Sequence, residues 1–156
     1  VGVVGHILLA WIYSHLLEYC LHRFVLHDPK RGRGIFFKHH FSEHHRSARQ
    51  LNMKDPKYLD RGLGLFFHYE VSTLSLLALL HIPVLFFSPV AYLTLVVASV
   101  CYFAVHVLQH RCPSVMCKIT PWHYWHHMGK DQHLNYGVRL PVFDILFGTY
   151  KPVTER

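Results

Sequence analysis

GLGLFFHYEVSTLSLLALLHIPVLFFSPVAYLTLVVASVCYFAVHVLQH, residues 62–110, holds no Lys or Arg and ends in His106-x3-His110. Leu63–Phe87 and Val90–Leu108 each approach or reach the length of a bilayer crossing. Ser88-Pro89 between them reads as a turn, because proline cannot continue the helix before it. The stretch therefore predicts a hairpin of two helices that returns to the side it left. Val90–Ala104 is almost wholly apolar, so the chemistry-bearing residues sit at the helix ends.

Outward from the hairpin, residues 1–21 form a first apolar span, interrupted by His6, His15 and Glu18. We expect further sequence upstream, since Val1 falls inside an apolar run; no secretory signal pattern is visible. Segments 22–61 and 109–156 read as extramembrane, with an amphipathic helix around 35–50. Asp28-Pro29, Gly32, Gly34 and Asp55-Pro56 punctuate the first segment; Pro113, Pro121, Pro141 and Pro152 break the second. The 156 residues carry a net charge of +7, and 16% are charged against about 25% in soluble proteins. All sixteen Lys and Arg fall in 23–61 or 111–156. That placement argues against nucleic acid and for the cytoplasmic face of a membrane protein. Cys20, Cys101, Cys112 and Cys117 are expected as free thiols in that compartment.

Sixteen histidines are present, and most fall into four clusters: His22-x4-His27, His40-x3-His44-His45, His106-x3-His110 and His123-x2-His126-His127. The hairpin brings all four to the face that carries the basic residues. Neutral imidazole is the commonest metal ligand among side chains. These ten are too many for one metal and suit two sharing a site. On an α-helix, residues three or four apart share a face, which pairs His106 with His110 and His40 with His44. Adjacent histidines diverge by about 100°, so one doublet can address both metals. His22 and His27 are five apart, so the helix is expected to end or distort between them. The clusters come in two rounds, which suggests one half-site from each side of the hairpin. His6, His68 and His81 stand outside the clusters and read as hydrogen-bonded core. All-histidine surroundings suit Zn, Cu, Fe or Ni. Neither the Glu-x-x-His of soluble di-iron bundles nor the His-Glu-x-x-His of zinc peptidases occurs.

HRFVLH at 22–27, HHFSEHHR at 39–46, HVLQH at 106–110 and HYWHH at 123–127 resemble the fatty acid hydroxylase / sterol desaturase superfamily of membrane proteins. The tail NYGVRLPVFDILFGTYK at 135–151 strengthens the resemblance, which covers residues 18–151. The resemblance implies an all-α integral membrane bundle, a single domain over 1–156, with a cytosolic His-rich cap holding two iron ions. It implies His22, His27, His40, His44, His45, His106, His110, His123, His126 and His127 as ligands. His39 replaces His40 if the register slips, and the role of His133 is open. Glu18 either orients His22, pairs with Arg23 or snorkels. Asn135 and Asp144 match family positions; turn-making before Gly137 and tying the tail to a basic side chain are the structural readings. Trp122, Tyr124, Trp125 and Tyr136 read as interfacial belt residues or as a lipid entrance.

The activity implied is O2-dependent hydroxylation of a lipid, with a fatty acyl chain first, as part of lipid biosynthesis. A separate electron donor of cytochrome b5 or ferredoxin type is expected, and zinc is expected to replace iron in purified samples. Desaturation, or carotenoid hydroxylation, is the alternative on the same scaffold. A non-catalytic membrane metal-binding or transport protein is the alternative of another class.

Overall fold

The computed structural model describes residues 2–27, 34–59 and 68–152. Asp28, Pro29, Gly32 and residues 63–67 of the second apolar stretch lie outside them. The described residues are helical and contain no strand.

The first apolar run forms α1 (Val3–Leu21), which passes without a break into a π-helical turn at His22–Leu26. The amphipathic segment is helical from α2 (Ile35–Phe37) through a π-helical stretch at Lys38–His45 into α3 (Arg46–Gln50). A short α4 (Pro56–Leu59) follows. Among the described residues the middle apolar stretch is not one unbroken helix. It divides into α5 (Tyr69–Leu80) and α6 (Ile82–Phe87), with His81 between them. Pro83 accounts for the division, since it has no N–H for the preceding turn. At twelve residues α5 is about 18 Å long, short of the roughly 30 Å hydrocarbon core. The expected turn is present: the Ala91 N–H donates to Ser88 Oγ at 3.2 Å, capping α7 (Pro89–Arg111). Helices α8 (Pro113–Ile119), α9 (Pro121–Met128) and α10 (Val142–Leu146) complete the chain, each of the first two opened by its proline.

Helix α7 is the central post. Helices α1, α5 and α6 pack along it, α4 meets it, and α10 returns to α1. Among the described residues two helical stretches, Val3–Leu26 and Pro89–Arg111, are long and apolar enough to cross a membrane. Only 22% and 17% of their most apolar windows are buried, whereas the core helix of a soluble protein would be mostly buried. Phe86 and Phe87 are 81% and 88% exposed beside the turn. The interior runs the other way: every clustered histidine is buried, with Asp55, Glu70, Gln109 and Asp144. Apolar groups turned outward around a polar centre are suited to lipid.

Candidate metal centre

The π-helical geometry decides how the histidines meet. A wider turn places residues five apart on one face. The His27 N–H donates to the His22 carbonyl at 3.1 Å, closing such a turn, and the two rings lie 4.9 Å apart. The distortion expected between them is therefore present. The same geometry over Lys38–His45 pairs His40 with His45, Nε2 to Nε2 at 3.2 Å. The expected α-helical pairing of His40 with His44 is corrected: those two fall into different groups.

Two groups result. His22, His27, His40, His45 and His126 form one; His44, His106, His110 and His127 form the other, ligand atoms within each lying within 4.8 Å of one another. All nine are buried. His123 is fully buried beside the second group, its ring 4.7 Å from that of His127 and 5.0 Å from His106. Each doublet splits between the groups, as adjacent positions on a helix require. The two halves do not follow the hairpin, however. His126 joins residues from before it, and His44 joins residues from its far end.

His106 and His110 fix the chemistry of the donor set. Nδ1–H of His106 donates to Glu70 Oε1 at 2.8 Å, and that of His110 to the Met53 carbonyl at 2.6 Å. A neutral imidazole has one N–H, so both Nε2 atoms carry lone pairs. They lie 3.2 Å apart, where two lone pairs repel and a shared cation turns repulsion into coordination. His44 donates from Nδ1 to Asp55 Oδ2 at 2.7 Å, and His126 to the Leu134 carbonyl at 2.7 Å. Both leave a buried Nε2 with no partner. His123 and His127 have neither nitrogen partnered. Unsatisfied buried nitrogens at this density are costly without a ligand. The residues present fit metal ions, with the Nδ1 partners setting tautomer and ring orientation.

Electrostatics agree. Burial, and then the neighbouring imidazoles, hold His40, His44, His127 and His123 well below the usual imidazole range. The same holds for His126 and His45, where hydrogen bonds oppose the shift without reversing it. These rings are neutral and free to ligate. Burial pushes the Asp55 carboxyl up, and the Lys57 backbone N–H at 3.1 Å works against that by stabilising the anion.

The secondary candidates separate clearly. His39 is outside both groups, bonded to Glu43 at 3.0 Å and stacked on Tyr69; the register does not slip. His133 is also outside, with its ring against His27 and Phe41. Glu18 orients neither His22 nor Arg23. It accepts from Arg139 Nε and from the backbone N–H of Val138 and Arg139, closing α1 against the tail. Asn135 adopts φ +58°, accepts the Lys151 N–H at 2.8 Å and donates to the Lys151 carbonyl at 3.2 Å. Asp144 ties the tail, but among the described residues to no basic side chain. Its carboxylate takes the N–H groups of Tyr136 and Gly137 at 2.8 and 2.6 Å and the Thr149 hydroxyl at 2.7 Å. That knot aims the Tyr136 carbonyl at His22 Nδ1. Tyr136 is thus buried beside the first group and not part of an interfacial belt. Of the three histidines expected as hydrogen-bonded core, His68 is buried and accepts the Glu70 N–H, whereas His81 bonds Leu77 and Tyr13 but is only half-buried, as is His6. The four cysteines are free.

Six supporting roles escaped the sequence reading: those of Glu70, Asp55, Gln132 and the carbonyls of Met53, Leu134 and Tyr136. Glu70 carried a signal, an ionisable residue in an apolar stretch. Met53 sits at φ +72°, a strained conformation for a non-glycine residue that turns its carbonyl to His110.

An apolar cavity of about 210 Å³ leads away from the histidines. His22, His40 and Glu70 stand at one end; Leu17, Leu21, Leu74, Leu77, Leu95 and Val96 line its length; Ala78, His81 and Tyr92 stand at the other.

The family model described as Fatty acid hydroxylase matches residues 7–149. No curated protein and no solved structure matches the chain.

Proposed function

The chain belongs to the fatty acid hydroxylase family, and from that premise we propose that it is a membrane-embedded, O2-dependent di-iron monooxygenase that hydroxylates a fatty acyl chain. The observation that carries the reading is a pair of adjoining buried histidine groups, the first of which reaches the head of an apolar cavity through His22 and His40. Lipid-modifying oxidoreductase chemistry is what the family supplies. The finer assignments are ours.

His22, His27, His40, His45 and His126 would hold one iron; His44, His106, His110, His127 and His123 would hold the other. Bound there, the pair would supply the oxidising power toward an unactivated C–H bond, with O2 and electrons from a separate cytochrome b5- or ferredoxin-type donor. The chain's own residues do the rest. Glu70, Asp55 and Met53 hold three imidazoles in the donor tautomer from one side. Tyr136, Gln132 and Leu134 hold three from the other. Leu17, Leu21, Leu74 and Leu77 exclude water and fix the acyl chain. Val3–Leu26 and Pro89–Arg111 would cross the bilayer, with α5 and α6 completing a multi-pass bundle. The histidine face, with its Lys and Arg, would lie on the cytosolic side.

The test is mass spectrometry of total lipids from a host expressing the chain with a reductase system, against the same host carrying His126→Ala. A lipid that gains one oxygen atom only with the intact protein supports hydroxylation. A lipid that loses two hydrogens instead makes the protein a desaturase. Identical lipids in both, with iron loaded, would remove catalysis and leave a metal-binding membrane protein.

A further inference from the structure

A second hollow lies beyond the far end of the slot, lined by His6, Leu9, Ala10, Tyr13, Val84 and Ala91. The two cavities share His81 and Leu95. The partition between them is a hydrogen bond. His81 donates from Nδ1 to the Leu77 carbonyl at 2.7 Å, which leaves Nε2 as an acceptor; Tyr13 donates its hydroxyl to it at 3.0 Å. The rings meet edge to face at 5.7 Å. Tyr92 stands on the same level and donates to the Ala78 carbonyl at 3.4 Å. His81 is held by the break between α5 and α6, so a proline-made discontinuity supplies the partition.

We propose that the Tyr13–His81 pair is the floor of the slot and sets the longest acyl chain the protein takes. The inference rests on the reading of the slot as an acyl-chain site. Along α7 the lining residues run from Tyr102 down to Tyr92, about 15 Å of helix. The walls between are mainly apolar, broken by Ser14, Thr73, Ser99 and the mutually paired Glu18 and Arg139, which suits an unbranched chain with its polar end at the histidines. Each methylene buried contributes about 0.8 kcal/mol, or roughly fourfold in affinity. That gain stops where the chain meets His81, which lines the slot with the Tyr13 ring bonded behind it. Removing the ring joins the slot to the hollow beyond, and the gain continues into it. Filling the slot just above the floor, at Ala78, cuts the gain short.

The experiment measures binding of saturated fatty acids of graded length to the purified, iron-loaded protein, by displacement of a fluorescent fatty acid. The native protein is expected to tighten about fourfold per methylene up to a cut-off and then to weaken. Tyr13→Ala is expected to move the cut-off to longer chains, the first acid beyond the native limit gaining about fourfold. Ala78→Phe is expected to move it to shorter ones. A native series without a cut-off, or a folded variant that leaves the cut-off in place, overturns the proposal; if Tyr13→Ala does not fold, Ala78→Phe decides alone. Lipid mass spectrometry runs beside it. Oxidation absent from both native protein and His126→Ala, with the cut-off still shifting, would reject the oxygenase reading and leave the floor standing.

Discussion

The two histidine groups are built from the same side chain and braced differently. In the first, the outer nitrogens of His22, His126 and His45 meet the Tyr136 and Leu134 carbonyls and the Gln132 amide. All three supports are neutral and come from one segment, 132–136. In the second, His106 and His44 meet the carboxylates of Glu70 and Asp55, and His110 meets the Met53 carbonyl. An anion behind an imidazole makes it a more basic ligand. The difference teaches that the proposed centre is electrically lopsided: the second group should hold its metal harder and favour the higher charge.

The sharpest break between the groups is removal of one ligand from each. His126→Ala and His127→Ala replace neighbours that belong to different groups. Each is expected to abolish oxidation and to lower the metal content from the proposed two ions per chain toward one, read by elemental analysis. The ion that survives should differ, the one left by His126→Ala being harder to strip with a chelator. Equal chelation from the two variants would dissolve the comparison.

Next in size is the loss of an anion. Glu70→Gln keeps shape and hydrogen bonding but removes the charge behind His106. Metal affinity at the second group should fall by about 10- to 100-fold, with the first group unmoved. Gln132→Ala, which removes a neutral support of His45, should weaken the first group by less. Metal titration calorimetry of both variants measures the contrast.

Acid tests the groups together. The folded-state pKa values of His40, His44, His45, His126 and His127 lie well below the ordinary imidazole value near 6.5, chiefly through burial. Below about pH 6.5 the unfolded chain therefore binds protons that the folded chain refuses, and stability must fall as pH falls. The loss continues down to the folded-state values. Thermal melts from pH 8 to pH 5 should show a plateau and then a steep drop, with metal released from the neutrally braced group first.

A smaller effect reaches the first group through the tail. A Cβ at Gly137 would stand 2.2 Å from the Leu140 carbonyl oxygen and 3.0 Å from Asp144 Oδ2. Gly137→Ala must open the knot that aims Tyr136 at His22. A cost of about 1–3 kcal/mol in stability is expected, measured by denaturant unfolding. Metal loss should be confined to the first group.

The sequence made the ends of these helices and the ligand clusters visible, because spacing and charge are local. His22–His27 announced its own distortion, since five residues do not fit an α-helical face. His40–His45 has the same spacing, yet the sequence points to His40–His44, because a π-helical run leaves no mark when an α-helical partner is also on offer. The division of the apolar stretch at His81 was written in Pro83 but masked by continuous hydrophobicity. The lopsided bracing was not legible at all. Glu70 and His106 are 36 positions apart, and Gln132 and His45 are 87 apart. Only the packing of α5 and of the tail brings them together.

The smallest predicted effect separates two neighbours. His39 and His40 are adjacent and chemically identical, and sequence admitted either as ligand. The π-helical turn sends His40 inward, 2.9 Å from His22 Nε2, and leaves His39 31% exposed against Glu43. Glu43 also holds Lys57 at 2.9 Å, so His39 belongs to a surface cluster. Exposed pairs of this kind contribute about 0–1 kcal/mol. His39→Gln should therefore leave metal content, chelation order and oxidation within error of the native protein, while His40→Gln should empty the first group. Metal lost from His39→Gln would mean that the register of 38–45 is α-helical in solution. The pairing of His40 with His45, and with it the division into two differently braced groups, would then have to be redrawn.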